Sequence, residues 1–170
     1  VKIDRMLMTN IHEDPQKQHF VKDIIEFAHD NDIVTLAEGV ELVNKGPEKE
    51  LLVVTDEVKL TKVFMNLVGN AKKFTTKGHI AIGARVSEDE KWIECVVEDT
   101  GIGISPENLE HIFDRFYKVN EFKQGTGLGL SICEAIIELL GGQIRVESTL
   151  GEGTTFYFKI PYRKPEEEDI

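Results

Sequence analysis

Asn66-Leu-Val-Gly-Asn70-Ala-Lys-Lys73-Phe74 is the stretch whose reading decides this chain. It closes a segment, about Glu57 to Phe74, in which Leu60, Val63, Phe64, Leu67 and Val68 recur at the three- and four-residue intervals of an amphipathic helix. Asn66 and Asn70 are then one helical turn apart, and Lys73 adds a cation to nearly the same face. Carboxamides and an ammonium on one face suit a metal-bound polyphosphate. A hard cation such as Mg²⁺ prefers oxygen ligands and keeps several waters, so one amide oxygen plus phosphate oxygens is a workable set. A solvated polar helix face has the same appearance, and the downstream segments weigh against it.

Working outward, Trp92 to Glu98 alternates as a strand does and ends at Asp99, followed by Thr100-Gly101-Ile102-Gly103. An acidic residue there can accept a hydrogen bond from the exocyclic amine of a base, and the two glycines let backbone approach a planar ring. Alone, Asp-x-Gly-x-Gly also describes an ordinary turn. Phe113-Asp-Arg115-Phe116-Tyr117 follows, an aromatic cluster that reads either as the base of a mobile loop or as simple core, with Arg115 a candidate for phosphate contact. Gly125-Thr-Gly127-Leu-Gly129-Leu130 opens an apolar run, Leu128, Ile132, Ala135, Ile136 and Leu139, at helical spacing. Glycines ahead of a helix expose backbone amides at its positive end, which favours phosphate; in isolation they also make a hinge. The segment is not a dinucleotide fingerprint, lacking the strand and acidic partner around it, and no Gly-Lys-Ser/Thr loop occurs.

In this order the four segments resemble the N, G1, F and G2 boxes of the histidine-kinase catalytic domain, a member of the GHKL superfamily shared by gyrase, Hsp90 and MutL ATPases. The resemblance covers about Glu41 to Tyr162. It implies a two-layer α/β sandwich, the Bergerat fold, binding ATP and Mg²⁺. It assigns metal binding to Asn70, catalytic roles to Asn66 and Lys73, and the adenine amine to Asp99. Nucleotide contacts are implied at Asn66, Asn70, Lys73, Phe74, Asp99, Gly101, Gly103, Ile104, Arg115, Tyr117, Gly125, Gly127, Leu128, Gly129, Leu130 and Thr154. Lys118 to Gln124 fits the family's lid over the nucleotide. The implied partners are a phosphoacceptor helical domain, whose histidine takes the γ-phosphoryl group, and a response regulator. Gyrase-type relatives usually place a glutamate as general base where this chain has Asn66, so intrinsic hydrolysis is not expected. A binding module that holds nucleotide without transferring phosphate is the alternative.

The rest of the chain supplies strand candidates at Leu51 to Val54, His79 to Val86, Lys91 to Glu98, Gln143 to Ser148 and Thr154 to Ile160, with helices on one sheet face. Gly141-Gly142 stops the last long helix, and Leu150-Gly-Glu-Gly153 reads as a hairpin turn. The organisation expected is a first unit at 1–41, the sandwich at 42–162 and an acidic tail at 163–170.

The first unit reads as strand, helix, strand: Val1 to Arg5, a helix opened by Asp14-Pro15, then Val34 to Glu41. It resembles one βαβ stretch of EAL-type cyclic di-GMP phosphodiesterases, a TIM-barrel-like family in which residues matching Lys2, Glu38 and Glu41 serve the metal and water site. The Glu-Ala-Leu, Asp-Asp-Phe-Gly and Gln-Gly-Tyr signatures are absent, and a closed barrel needs roughly 200 residues or more, so diesterase activity is not expected. The two resemblances meet near Ala37 to Leu42 without a Gly-, Ser- or Pro-rich linker, which suggests a chimera whose barrel piece adds a strand and helix to the sandwich. A structure with residues 1–40 detached would count against that hypothesis. A grafted edge strand also offers a route to a homodimer. His12-Glu-Asp-Pro15 superficially matches a phosphoacceptor motif, but its proline comes early and two long helices are missing after it.

Composition agrees with a globular unit expected in the cytoplasm. With 170 residues, 41% hydrophobic, the chain can bury one substantial core. A formal charge of −11 disfavours nucleic acid and anionic membranes as partners, so an anionic nucleotide needs locally concentrated cations. Cys95 and Cys133 lack metal-type spacing and read as buried thiols. No run of eighteen apolar residues and no signal peptide is present in this sequence.

Overall fold

Alternating apolar residues in four segments and one long amphipathic helix build a single sheet with helices on one face. The computed structural model describes residues 39–46, 51, 53–119 and 126–163. Within them lie strands β1 (Val40–Asn44), β2 (Gly78–Val86), β3 (Trp92–Asp99), β4 (Gln143–Thr149) and β5 (Gly153–Pro161). The helices are α1 (Glu57–Phe74), a single turn α2 (Pro106–Leu109) and α3 (Gly129–Leu139). The five strands run in the order β1-β2-β3-β5-β4, with β1 parallel to β2 and every other pair antiparallel. This is the expected α/β sandwich.

Helix α1 starts where the sequence supplies a cap. Asp56 is extended, and its carboxylate accepts the Lys59 backbone N–H at 3.0 Å, satisfying one of the unpaired donors of the first turn. The hydrogen bonds from Lys59 hold the Asp56 carboxyl below its ordinary value. Leu60, Val63, Phe64, Leu67, Val68 and Ala71 are buried, the stripe anticipated from spacing. They meet the sheet face formed by Ile93, Cys95 and Val97 of β3 and by their register partners Ile160, Phe158 and Phe156 of β5. Phe64 and Phe158 stack edge-on, with ring centroids 5.1 Å apart. Each fully buried side chain of this size contributes about 1.5–3 kcal/mol by leaving water, so these pairs hold the two layers together.

The other sheet face is mixed: Ala81 of β2 is buried on it, and several of its polar side chains are paired. Arg85 bonds Glu94 at 2.8 Å, the Arg145 guanidinium lies 3.9 Å over Tyr157, and Lys159 lies 4.5 Å over Trp92.

Three expectations change. The apolar run of α3 does not face inward at Ala135 and Leu139: Leu139 is 70% exposed, while Cys133 and Ile137 are buried. This helix is apolar on both sides, so spacing alone could not select its inner face. Leu51 to Val54 is not a strand at residues 51, 53 and 54. Val53 is buried and the Val54 N–H reaches the Arg163 carbonyl at 3.4 Å, so residues 53 and 54 pack without a ladder. Phe116 is no core residue, being 71% exposed.

Strand β1 runs across the expected 41/42 boundary. The EAL-like strand and helix before Gly39, His12, and the tail beyond Arg163 lie outside the described residues. Cys95 and Cys133 are buried free thiols, as expected, and burial pushes the Cys133 thiol up to about 12. Among the described residues no helix is long and apolar enough to cross a membrane.

Candidate functional site

The polar face of α1, the C-terminal end of β3 and the N-terminus of α3 enclose a cavity of about 320 Å³. From α1 it is lined by Asn66, Asn70, Lys73 and Phe74. Asp99 and Thr154, register partners on neighbouring strands, supply a buried polar floor, 8% and 7% exposed. Gly103 and Ile104 come from the loop after β3, Tyr117 from the aromatic segment, and Gly127, Gly129 and Leu130 from the start of α3.

Asp99 is held by convergent donors. Its Oδ1 accepts the Gly101 N–H at 2.8 Å and the Thr75 hydroxyl at 3.5 Å, and the Thr154 backbone also hydrogen-bonds it. Burial nevertheless wins and raises its carboxyl above the ordinary value, with the neighbouring Glu98 charge adding to the rise against those hydrogen bonds. A carboxylate that is desolvated, fixed and open to a cavity is built to accept a hydrogen bond from a ligand.

The opposite wall is an anion site. Helix α3 begins at Gly129 with Leu128 as its N-cap and no side-chain cap bond, so its first amides carry the helix's positive end unshielded by side chains. A Cβ at Gly129 would lie 3.3 Å from Asn66 Oδ1, which places that carboxamide against the helix start. Lys73 Nζ sits 5.2 Å from the Phe74 ring centroid, beside the same face.

The glycines serve packing as well as access. A Cβ at Gly101 would be 2.5 Å from the Phe74 carbonyl oxygen, so the loop can lie on the end of α1 only as glycine. Gly103 has φ +66°, and a Cβ there would fall 2.0 Å from the Thr149 carbonyl oxygen. Gly127 has φ +72° and abuts the backbone of Phe116, itself left-handed at φ 68°. The Phe116 N–H donates to the Gly127 carbonyl at 2.9 Å, drawing together the two ends of the intervening segment.

The structure thus brings together Asn66, Asn70, Lys73, Phe74, Asp99, Gly103, Ile104, Tyr117, Gly127, Gly129, Leu130 and Thr154. Gly101 and Leu128 do not line the cavity but support it, through Asp99 and the start of α3. Arg115 is exposed and outside the lining. Gly125 lies outside the described residues. Phe113 packs edge-on against Phe156, and Tyr117 donates to Asn108 Oδ1 at 2.6 Å, so two of the three aromatics anchor the base of the segment that Phe116 leaves exposed. Sequence reasoning missed Thr75 and Ser148. Thr75, immediately after α1, is buried against Asp99; Ser148 sits behind Thr154. No local pattern singles out either hydroxyl.

A family model described as histidine kinase-, DNA gyrase B-, and HSP90-like ATPase matches residues 55–164. The sensor histidine kinase WalK of Bacillus subtilis (strain 168) is 37% identical over 141 residues, covering 80% of this chain and 23% of that protein. The sensor protein SrrB of Staphylococcus aureus (strain NCTC 8325 / PS 47) is 49% identical over 116 residues, covering 65% of this chain and 19% of that protein. The chain therefore spans about a fifth of the length of these curated relatives. Full-length ShkA, crystallised in complex with AMPPNP, superposes with a TM-score of 0.72 at 27% identity, over 85% of this chain and 30% of that one. The nucleotide-free catalytic domain of the histidine kinase ThkA gives 0.68 at 29% identity, over 84% of this chain and 91% of that one.

Proposed function

We propose, because this chain belongs to the histidine kinase-, DNA gyrase B-, and HSP90-like ATPase family, that it is the ATP-binding catalytic unit of a two-component sensor histidine kinase. One observation carries the reading: a single cavity joins a buried carboxylate to an uncapped helix N-terminus along a face bearing Asn66, Asn70 and Lys73. The adenine amine donates to Asp99. The phosphates lie toward the first amides of α3 and toward Lys73, which offset their charge in an otherwise acidic chain.

Asn70 offers a hard amide oxygen on the cavity wall, and among the described residues no cluster of three His, Cys, Asp or Glu competes with it. That donor fits Mg²⁺, which Asn70 would help to hold and which would keep room for phosphate oxygens and water. When bound, Mg²⁺ offsets the charge on the transferring group. Asn66, against Gly129, orients the surroundings of the attacking group, and Lys73 holds the phosphates in line. Catalysis of this kind consists of positioning and charge stabilisation. An asparagine cannot take a proton from water as a glutamate would, so intrinsic hydrolysis is slow.

Among the described residues no histidine lines the cavity. His79 pairs with Glu98 at 3.3 Å and His111 with Asp114 at 2.9 Å. The acceptor histidine accordingly belongs to a separate helical domain, from which a response regulator takes the phosphoryl group. Cytoplasmic placement belongs to the same proposal, because ATP is supplied there. Two further proposals rest on sequence alone: the EAL-like origin of residues 1–41, and a homodimer formed through that N-terminal segment.

Calorimetric titration with ATP and Mg²⁺, followed by phosphoryl transfer to a supplied acceptor domain, tests the reading. Binding with transfer is the expected result. Binding without transfer favours a nucleotide-holding module, and absence of binding refutes the proposal.

A further inference from the structure

Ser148, on β4, lies behind the cavity floor, and its hydroxyl oxygen meets three polar groups. The Ile104 N–H donates to it at 2.8 Å, the Gly153 carbonyl oxygen lies 2.7 Å away, and Thr154 Oγ1 lies 2.9 Å away. A serine hydroxyl has one proton and two lone pairs. Carbonyl oxygens only accept, so the Ser148 proton goes to Gly153. The Ile104 amide occupies one lone pair. The remaining contact is satisfied only if Thr154 donates its own hydroxyl proton to Ser148.

That assignment sets the polarity of the cavity floor. Thr154 is buried, lines the cavity and is paired in register with Asp99. With its proton committed to Ser148, Thr154 Oγ1 faces the cavity as an acceptor, as the Asp99 carboxylate does. We infer that Ser148 is a positioning residue that orients the Thr154 hydroxyl and so makes the floor select a purine with a 6-amino group over one with a 6-oxo group. An amino group has two N–H donors to offer two acceptors. An oxo group brings a third acceptor and is repelled. This inference rests on the nucleotide reading above and extends it to base discrimination.

The same hydroxyl also fixes the adenine loop in space. Through the Ile104 amide it ties the loop to the β4–β5 hairpin, where the Gly151 N–H donates to the Ile102 carbonyl at 2.7 Å. A purely structural role would therefore weaken every nucleotide alike, whereas the polarity role changes the ratio between bases.

Competition binding with Mg·ATP and Mg·ITP, which differ in the 6-substituent, separates the two. Losing one well-made hydrogen bond and freeing Thr154 to donate predicts that Ser148→Ala lowers the ATP:ITP affinity ratio about tenfold. Ser148→Thr restores the ratio, and in a Thr154→Val background Ser148→Ala leaves it unchanged. Equal loss for both nucleotides in Ser148→Ala, or an equal ratio change in the Thr154→Val background, overturns the inference. Should Ser148→Ala not fold, Thr154→Val alone must lower the ratio, and an unchanged ratio overturns it. Wild-type protein that binds no ATP refutes the nucleotide reading itself, a result distinct from an unchanged ratio.

Discussion

Replacing Asp99 with asparagine tests the floor of the cavity with little change of shape. The carboxylate offers two acceptor oxygens, whereas an amide keeps one. Oδ1 already accepts the Gly101 N–H at 2.8 Å and the Thr75 hydroxyl at 3.5 Å, so an amide oxygen stays with those donors. The –NH₂ group then takes the second position and meets the adenine amine donor to donor. A hydrogen bond to a charged acceptor contributes about 1.5–3 kcal/mol, which corresponds to a ten- to roughly hundredfold rise in Kd for Mg·ATP. The unliganded protein loses less, because burial disfavours the Asp99 charge and offsets what its hydrogen bonds contribute. Isothermal titration of wild type and Asp99→Asn, with thermal melts of each, reads both quantities. An ATP affinity within about twofold of wild type, with an unchanged melt, would refute the placement of the base at Asp99.

Four further outcomes follow from the structure. ATP affinity falls as pH drops through the raised Asp99 value, because the protonated carboxyl is a poorer acceptor; titrations across the acidic range in wild type, set against Asp99→Asn, isolate that dependence. The sign for the unliganded fold is opposite: a carboxyl raised in the folded state adds stability below its ordinary 3.8, and that contribution is lost as pH rises through the folded value. Gly103→Ala puts a Cβ 2.0 Å from the Thr149 carbonyl at φ +66°, so chemical denaturation should show a loss of at least about 2 kcal/mol and calorimetry weaker nucleotide binding. Phe64→Ala empties the fully buried position against Phe158, costing about 3–5 kcal/mol by urea denaturation.

Much of the site was legible because it is assembled from local patterns. The face bearing Asn66, Asn70 and Lys73 follows from the helical period once the opposite stripe is identified, and the stripe is marked by recurrence at three- and four-residue intervals from Leu60 to Val68. The end of β3 is marked by alternation running into Asp99 and glycine. Arg115 shows the limit of such reading: Ile112 and Tyr117, a few residues to either side, line the cavity, yet Arg115 lies exposed between Asp114 and Phe116, which are exposed as well.

The sequence by itself determined the bounds of α1, the strand alternation and the identity of the polar groups, since each depends on residues within a turn or two. Only the tertiary structure decided which face of α3 turns inward, why Gly101 must lack a side chain, and where the Thr75 and Ser148 hydroxyls send their hydrogen bonds. Those outcomes depend on neighbours far away in the chain: Ser148 meets Ile104 across 44 residues and Thr75 meets Asp99 across 24. Helical period and strand alternation are short-range properties of the backbone. The partner of a hydroxyl and the fit of a glycine are settled by which distant surfaces packing brings into contact.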